Sequence, residues 1–268
     1  SHVSRKHPKW ILPGTGGTWL NPALPEVRQR AIDVMTDVAK RYDVDGIHID
    51  DYFYPYPKRV DGKMRPQFDD SKTYAAYRAK GGKKGAVEWR RDHINRFIQD
   101  LNASIKKTKR QVKFGVSPFG IWRPGVPSTI EAGIDPPVHL AADSREWLRQ
   151  GWVDYLSPQL YWRIQPAKQS FLTLTEWWAS QNVHQRHFWP GIASSRVKSS
   201  TDKTRPAQEM VDQILITRDK GASKNGSGHI HWSYEALAKN RDGLRTELAA
   251  KAYHDRALIP ESPWLASG

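Results

Sequence analysis

Polar and apolar positions alternate through five short stretches of this chain, and helical spacing takes over between them. In the first stretch, Ile47 and Ile49 alternate with Gly46, His48 and Asp50, the two-residue period of a β-strand. Further strands are predicted at 112–117, 153–161, 187–192 and 228–233. Ahead of the first strand, Val27, Ala31, Val34 and Val38 form the stripe of a helix that Pro25 opens and that ends near Tyr42. Ile94, Phe97, Ile98, Leu101 and Ile105 mark a second helix. Others are predicted at 143–150, where Asp143 and Glu146 make a capping box, and near 168–181, 206–220 and 241–256. Strands alternating with helices predict parallel β/α units. Residues 1–20 read as irregular, and 58–86 as an elaborated loop rather than a linker, so 1–268 is expected to be one domain.

Helices covering the outer side of such a sheet need the apolar set of each strand there. The polar sets are then expected to point inward. In the third strand Tyr155, Ser157, Gln159 and Tyr161 oppose Leu156, Pro158 and Leu160; in the fifth, His229, His231 and Ser233 oppose Ile230 and Trp232. His48, Asp50, Ser117, Gln159, Tyr161 and His231 are therefore expected to meet at the mouth of a barrel. A hydrogen-bonded interior suits His48 and His229, while Asp50, Gln159 and Tyr161, nearest the strand ends, are read as facing substrate. The first strand runs into two carboxylates, Asp50 and Asp51, and then into the aromatic, proline-stiffened loop Tyr52–Pro57. Acids at the carboxyl end of a strand have the layout of a β/α-barrel active site. Carboxylates beside aromatic faces also suit a sugar.

Composition narrows the classes. There are no cysteines, so neither disulfides nor thiolate metal sites are available, and His229-x-His231 alone does not make a metal centre. No metal and no cofactor is expected. No Gly-x-Ser-x-Gly elbow is present. No apolar run reaches 18 residues, so no membrane-spanning helix is expected, and the first residues lack a signal-peptide pattern. The net charge of +14 implies attraction to polyanions, yet no zinc-finger, helix-turn-helix or RNP pattern occurs. An acidic polysaccharide or the anionic bacterial envelope accounts for the charge without a specific nucleic-acid partner.

Four segments together carry a family resemblance: RYDVDGIHIDDYFYPYP (41–57), WRRD (89–92), KFGVSPFGIWR (113–123) and GWVDYLSPQLYW (151–162). The approach at 21–26 and Asp143-Ser144-Arg145 also fit. The chain resembles the bacterial glycosyl hydrolase-like family ten, envelope glycosidases with a (β/α)8 TIM-barrel fold. The resemblance implies a glycoside hydrolase located at the cell envelope or secreted, with a periplasmic protein or lipoprotein as the full-length form. It also implies peptidoglycan glycan strands lacking stem peptides as substrate. The free carboxylates of such strands give the positive charge a use. A complete barrel of this family has three strands before the 43–57 motif. The five strands here are expected to be the fourth to eighth of an incomplete barrel, whose open edges suit self-association.

Within that implied chemistry, Asp50 is the expected general acid, because it points inward and a neighbouring carboxylate raises one pKa of a pair. Asp51 is expected to be its charged partner, joining the site only if the strand bends, with Asp143 as the alternative second carboxylate. A substrate 2-acetamido oxygen is the other candidate nucleophile. Tyr52, Tyr54, Trp122, Tyr161 and Trp162 are the expected ring-stacking residues. Arg123 is available to a substrate carboxylate, and His48, Gln159 and His231 complete the binding set. The competing function is a non-catalytic glycan-binding module.

Overall fold

The computed structural model describes residues 2–15, 19–221 and 228–266. Helix α1 (Pro25–Arg41) leads into strand β1 (Gly46–Asp50). A hairpin, β2 (Lys58–Val60) and β3 (Lys63–Arg65), and helix α2 (Ser71–Ala79) then precede the long helix α3 (Ala86–Thr108) and β4 (Lys113–Ser117). The order continues with α4 (Ser144–Arg149), β5 (Tyr155–Leu156), α5 (Phe171–Gln181), β6 (His187–Phe188) and β7 (Gly191–Ile192). Helix α6 (Ala207–Ile216), β8 (Ile230–His231), α7 (Tyr234–Ala238) and α8 (Leu244–Lys251) complete the chain.

Strands β1, β4, β5 and β6 pair in that order, all parallel. Strand β7 continues the line of β6 after Trp189-Pro190 and pairs in parallel with β8. A bridge from Gln159 to Gly191 joins the two ladders. The five predicted strand positions thus form one open arc of an incomplete TIM barrel, with β1 and β8 each paired on one side among the described residues. The third strand is shorter than predicted, because Pro158 has no N–H to give and only Tyr155, Leu156 and Gln159 pair. Pro190 breaks β6 from β7 in the same way.

The core lies between the arc and the helices. Ile47, Phe114, Val116, Leu156, Phe188 and Ile192 turn outward onto Ile94, Ile98, Leu101, Trp147 and Trp178. Helix α3 buries Ile94, Ile98, Leu101 and Ile105 of the predicted stripe, and Phe97 is half-buried. In α1 only Val27 of the expected stripe is buried; Ala31 is half-buried and Val34 and Val38 are exposed, while Ile32 and Ala39 supply the buried side instead. The side of α1 that carries Ala31 and Val34 lines an apolar groove of about 830 Å³ that runs toward Asp50 and Tyr52.

The 58–86 excursion holds more structure than a loop. Asp61 (φ 48°) and Gly62 (φ 72°) form the hairpin turn, both in the left-handed region that a two-residue connection needs. Asp70, buried beside α2, takes a two-pronged bond from Arg90 of α3 at 2.6 and 2.7 Å. The predicted irregular start contains helical turns at Val3–Lys6 and Pro8–Trp10 and a bridge from Ile11 to Leu20; positions 16–18 lie outside the described residues. No described helix is long and apolar enough to cross a membrane.

Candidate active site

The alternation in β1 sets the site. Ile47 is buried against the helices, so Gly46, His48 and Asp50 share the open inner face. The strand ends at Asp50, and the chain bends at Asp51, where the Phe53 N–H returns to the Asp51 carbonyl at 2.9 Å. This bend brings two adjacent carboxyl groups into hydrogen-bonding reach instead of onto opposite faces. Asp50 stays exposed. Its Oδ1 accepts the Asp51 N–H at 2.8 Å and Gln159 Nε2 at 2.8 Å. Gln159 Nε2 also donates to the Ser117 carbonyl at 2.9 Å, so the ends of β4 and β5 hold the amide in place.

Asp51 lies beneath it, 2% exposed, with the Tyr56 hydroxyl donating to its Oδ2. Burial pushes the Asp51 carboxyl up to about 6; the Tyr56 bond opposes the shift and the Asp50 charge adds to it. The carboxyl that burial raises is thus Asp51, where the sequence analysis expects Asp50 to be the general acid and Asp51 its charged partner. Proximity alone predicted that one acid would be raised, and burial selects which. Tyr161 is close enough for both carboxylates to raise its phenol, after burial as the main cause.

Aromatic rings flank the pair. Tyr52 is 63% exposed, with ring centres 6.1 Å from Trp19 and 6.0 Å from Tyr56. Half-buried Trp162 packs edge-on against Phe119 with centres 5.7 Å apart. His48 lies one step deeper than Asp50, its Nδ1 3.0 Å from the Tyr155 hydroxyl.

Other predicted site residues sit elsewhere. Tyr54 is fully buried against Phe68 and has no face for a sugar. Trp122 is covered by the guanidinium groups of Arg123 (4.7 Å) and Arg145 (4.9 Å), and its Nε1 donates to Asp143 Oδ1 at 2.9 Å. Asp143 also caps α4 through the Glu146 N–H at 3.4 Å and lies 3.9 Å from Arg91. Arg123 is paired with Asp135 at 3.1 Å. These three residues make a structural knot after β4, and Asp143 is not a free second carboxylate.

His231 faces the other way from the expected direction. Its Nδ1 meets Ser194 Oγ at 2.6 Å, and its Nε2 meets the hydroxyl of Tyr253, just past α8, at 2.7 Å. A Cβ on Gly228 would come within 2.5 Å of Trp189, whose ring stacks beside Tyr155 on the inner side. Positions 228, 230 and 232 therefore share the inner face of β8. The apolar set is inward here because the outer side offers hydrogen-bonding partners to both histidines. Trp232, 55% exposed, takes the inner position predicted for His231.

Sequence reasoning missed Trp19, Tyr56 and Trp232 as neighbours of the inner face. Tyr56 stood inside the aromatic loop, five residues past Asp51, and was the one with a signal. Trp19 lies in an irregular segment without periodicity, and Trp232 depended on which face of β8 turned inward.

Known proteins share this fold and much of this sequence. The glycoside hydrolase domain of PgaB (BpsB) from Bordetella bronchiseptica superposes with a TM-score of 0.53 at 13% identity, over 87% of this chain and 64% of that one. Among curated proteins, the glycosyl hydrolase YngK of Bacillus subtilis is 34% identical over 98% of this chain and 51% of its own length. The glycosyl hydrolase DigH of Escherichia coli is 33% identical over 65% of this chain and 38% of its own length. The chain thus spans about half, or less, of the curated relatives it matches. The family model described as Glycosyl hydrolase-like 10 matches residues 2–208, three-quarters of the chain and the whole stretch that carries the acid pair and Gln159. The chain belongs to the glycosyl hydrolase-like 10 family.

Proposed function

We propose that this chain is the catalytic part of a glycoside hydrolase of the bacterial envelope, acting on peptidoglycan glycan strands that lack stem peptides. The observation that carries the reading is the Asp50–Asp51 pair at the carboxyl end of β1, with one member holding its proton to about pH 6. Two carboxyl groups in mutual contact are too close to flank a scissile bond, where separations run from about 5 to 9.5 Å. They act as one unit instead. Asp51 supplies a proton, through the exposed Asp50 carboxyl it touches, to the leaving glycosidic oxygen. Asp50, fixed by Gln159, also orients the 2-acetamido group of the sugar whose anomeric carbon is attacked. The acetamido carbonyl oxygen attacks the anomeric carbon as the glycosidic bond breaks, and a cyclic intermediate forms. Water then adds to the anomeric carbon and returns a proton to Asp51, which restores the acetamido group and frees a reducing end. Tyr52 and Trp162 supply ring faces, and the +14 charge favours strands bearing free carboxylates.

The test is mass spectrometry of denuded strands incubated with the wild type and with Asp51→Asn. Short saccharides from the wild type alone, with a new N-acetylated reducing end, are the expected result. Intact strands retained by both proteins support the glycan-binding alternative, and turnover by Asp51→Asn as fast as the wild type removes the assigned proton donor.

A further inference from the structure

We propose that a basic, hydroxyl-lined pocket between the segments that follow β7 and β8 binds a carboxylate of the glycan next to the acid pair. This inference rests on the reading of the site as a glycan-cleaving centre. The pocket measures about 550 Å³, and its cations are Arg196, Lys198 and Arg241. Hydroxyls of Ser195 and of the Ser199–Thr201 run line the rest. The single acid on its wall, Glu235, is already held by Lys239 at 2.6 Å.

The chain treats its cations differently on the two sides of this loop. Arg163 and Arg205 share Asp202, the second at 2.8 Å. None of the three pocket cations lies within ion-pair distance of a carboxylate among the described residues. Arg241 is half-buried and anchored by donating to the carbonyls of Ser195 (2.7 Å) and Val197 (3.4 Å), and its other N–H groups remain. Lys198 is set in a left-handed conformation (φ 44°), and its N–H donates to the Arg205 carbonyl at 3.0 Å. Three cations and four hydroxyls, with no free anion among them, match an oxygen anion and give a neutral sugar no electrostatic advantage.

The pocket is also next to the chemistry. Arg196 Nη1 donates to the Tyr161 carbonyl at 3.1 Å, and Tyr161 stands two residues past Gln159, whose Nε2 holds Asp50 at 2.8 Å. The segment Gln159–Tyr161 therefore links the acid pair to the pocket wall. A lactyl carboxylate carried on the unit next to the cleaved linkage would reach it.

The experiment uses Asp51→Asn so that strands survive, and measures binding calorimetrically to two preparations. One keeps its free lactyl carboxylates; in the other they are converted to methylamides. Amidation is expected to weaken binding about tenfold. Adding Arg196→Gln with Lys198→Gln should weaken the acidic strands by a similar factor and leave the amidated strands unchanged. Adding Lys40→Gln with Lys107→Gln, an equal charge change on exposed helix positions, should do neither. Equal affinity for both preparations, no binding of acidic strands at low salt, or an equal loss on both in the pocket variant overturns the proposal. Wild-type cleavage is scored separately. Cleavage with amidation-insensitive binding sinks the pocket and keeps the hydrolase, and amidation-sensitive binding without cleavage does the reverse.

Discussion

Replacing Asp51 by Asn is expected to abolish glycan cleavage and, above pH 6, to stabilise the fold. Asp51 is 2% exposed and its carboxyl is raised from 3.8 to about 6, chiefly by burial. Between these two values the native state holds a proton that the unfolded chain has released. Native stability therefore falls as pH rises through this window and stays lowered above it. Two pKa units at 1.36 kcal/mol each amount to about 3 kcal/mol by pH 8. Asparagine keeps an oxygen for the Tyr56 hydroxyl and places an amide donor beside Asp50, so the neutral form is mimicked without the penalty of ionisation. Urea unfolding followed by tryptophan fluorescence at pH 4 and pH 8 gives the comparison. Wild type and variant should be close at pH 4, and the variant should exceed the wild type by about 3 kcal/mol at pH 8. Wild-type turnover should decline above about pH 6, as the proton needed by the leaving oxygen is lost. A stability difference that does not change with pH would refute the assignment of the raised carboxyl to Asp51.

Three further outcomes follow from the same geometry. Gln159→Met removes the side-chain donor from Asp50 Oδ1; with hydrogen bonds to charged groups worth about 1.5–3 kcal/mol, kcat/KM should drop roughly 10- to 100-fold while thermal unfolding shifts little. Gly120→Ala places a Cβ 2.2 Å from the Gln159 carbonyl oxygen, so the backbone that carries Gln159 must move. A stability loss of about 1–3 kcal/mol, measured in urea, together with lower turnover is expected, and a fully active variant would contradict it. His229 and His231 are held down to about 3 and about 4, each by burial first. The unfolded chain takes up their protons below about 6.5, so this part of the stability is present above that pH and is lost on acidification. Changing both to Asn should flatten the fall in unfolding free energy between pH 6.5 and 4 relative to the wild type; an unaltered slope would show that the pair takes up protons in the fold as it does in the unfolded chain.

The periodic parts of this protein were legible in the chain. Two-residue alternation placed Ile47 and Asp50 on opposite faces, and 3.6-residue spacing identified the buried side of α3. Asp143 announced the start of α4. These features depend on neighbours within a few positions, so local sequence determines them. The family and its barrel architecture were readable for a related reason: the 41–57 motif packs strand, acids and aromatic loop into one continuous run.

What the tertiary structure decided are matters of neighbourhood. Periodicity says which side chains share a face, but not which face meets the helices, and β8 took the opposite choice from β1. Hence His231 turned to Tyr253 while Trp232 took the inner side. Tyr54 and Tyr52 look alike in sequence, yet one is sealed under Phe68 and the other is open. Trp122, Arg123 and Asp143 were spent on one another and on nearby partners. Asp50 is fixed by a glutamine 109 positions away, and the order of the two acids follows from a tyrosine and a bend that bury Asp51 and leave Asp50 in water. Burial is a property of contacts brought together by folding, and in this site burial assigns the proton.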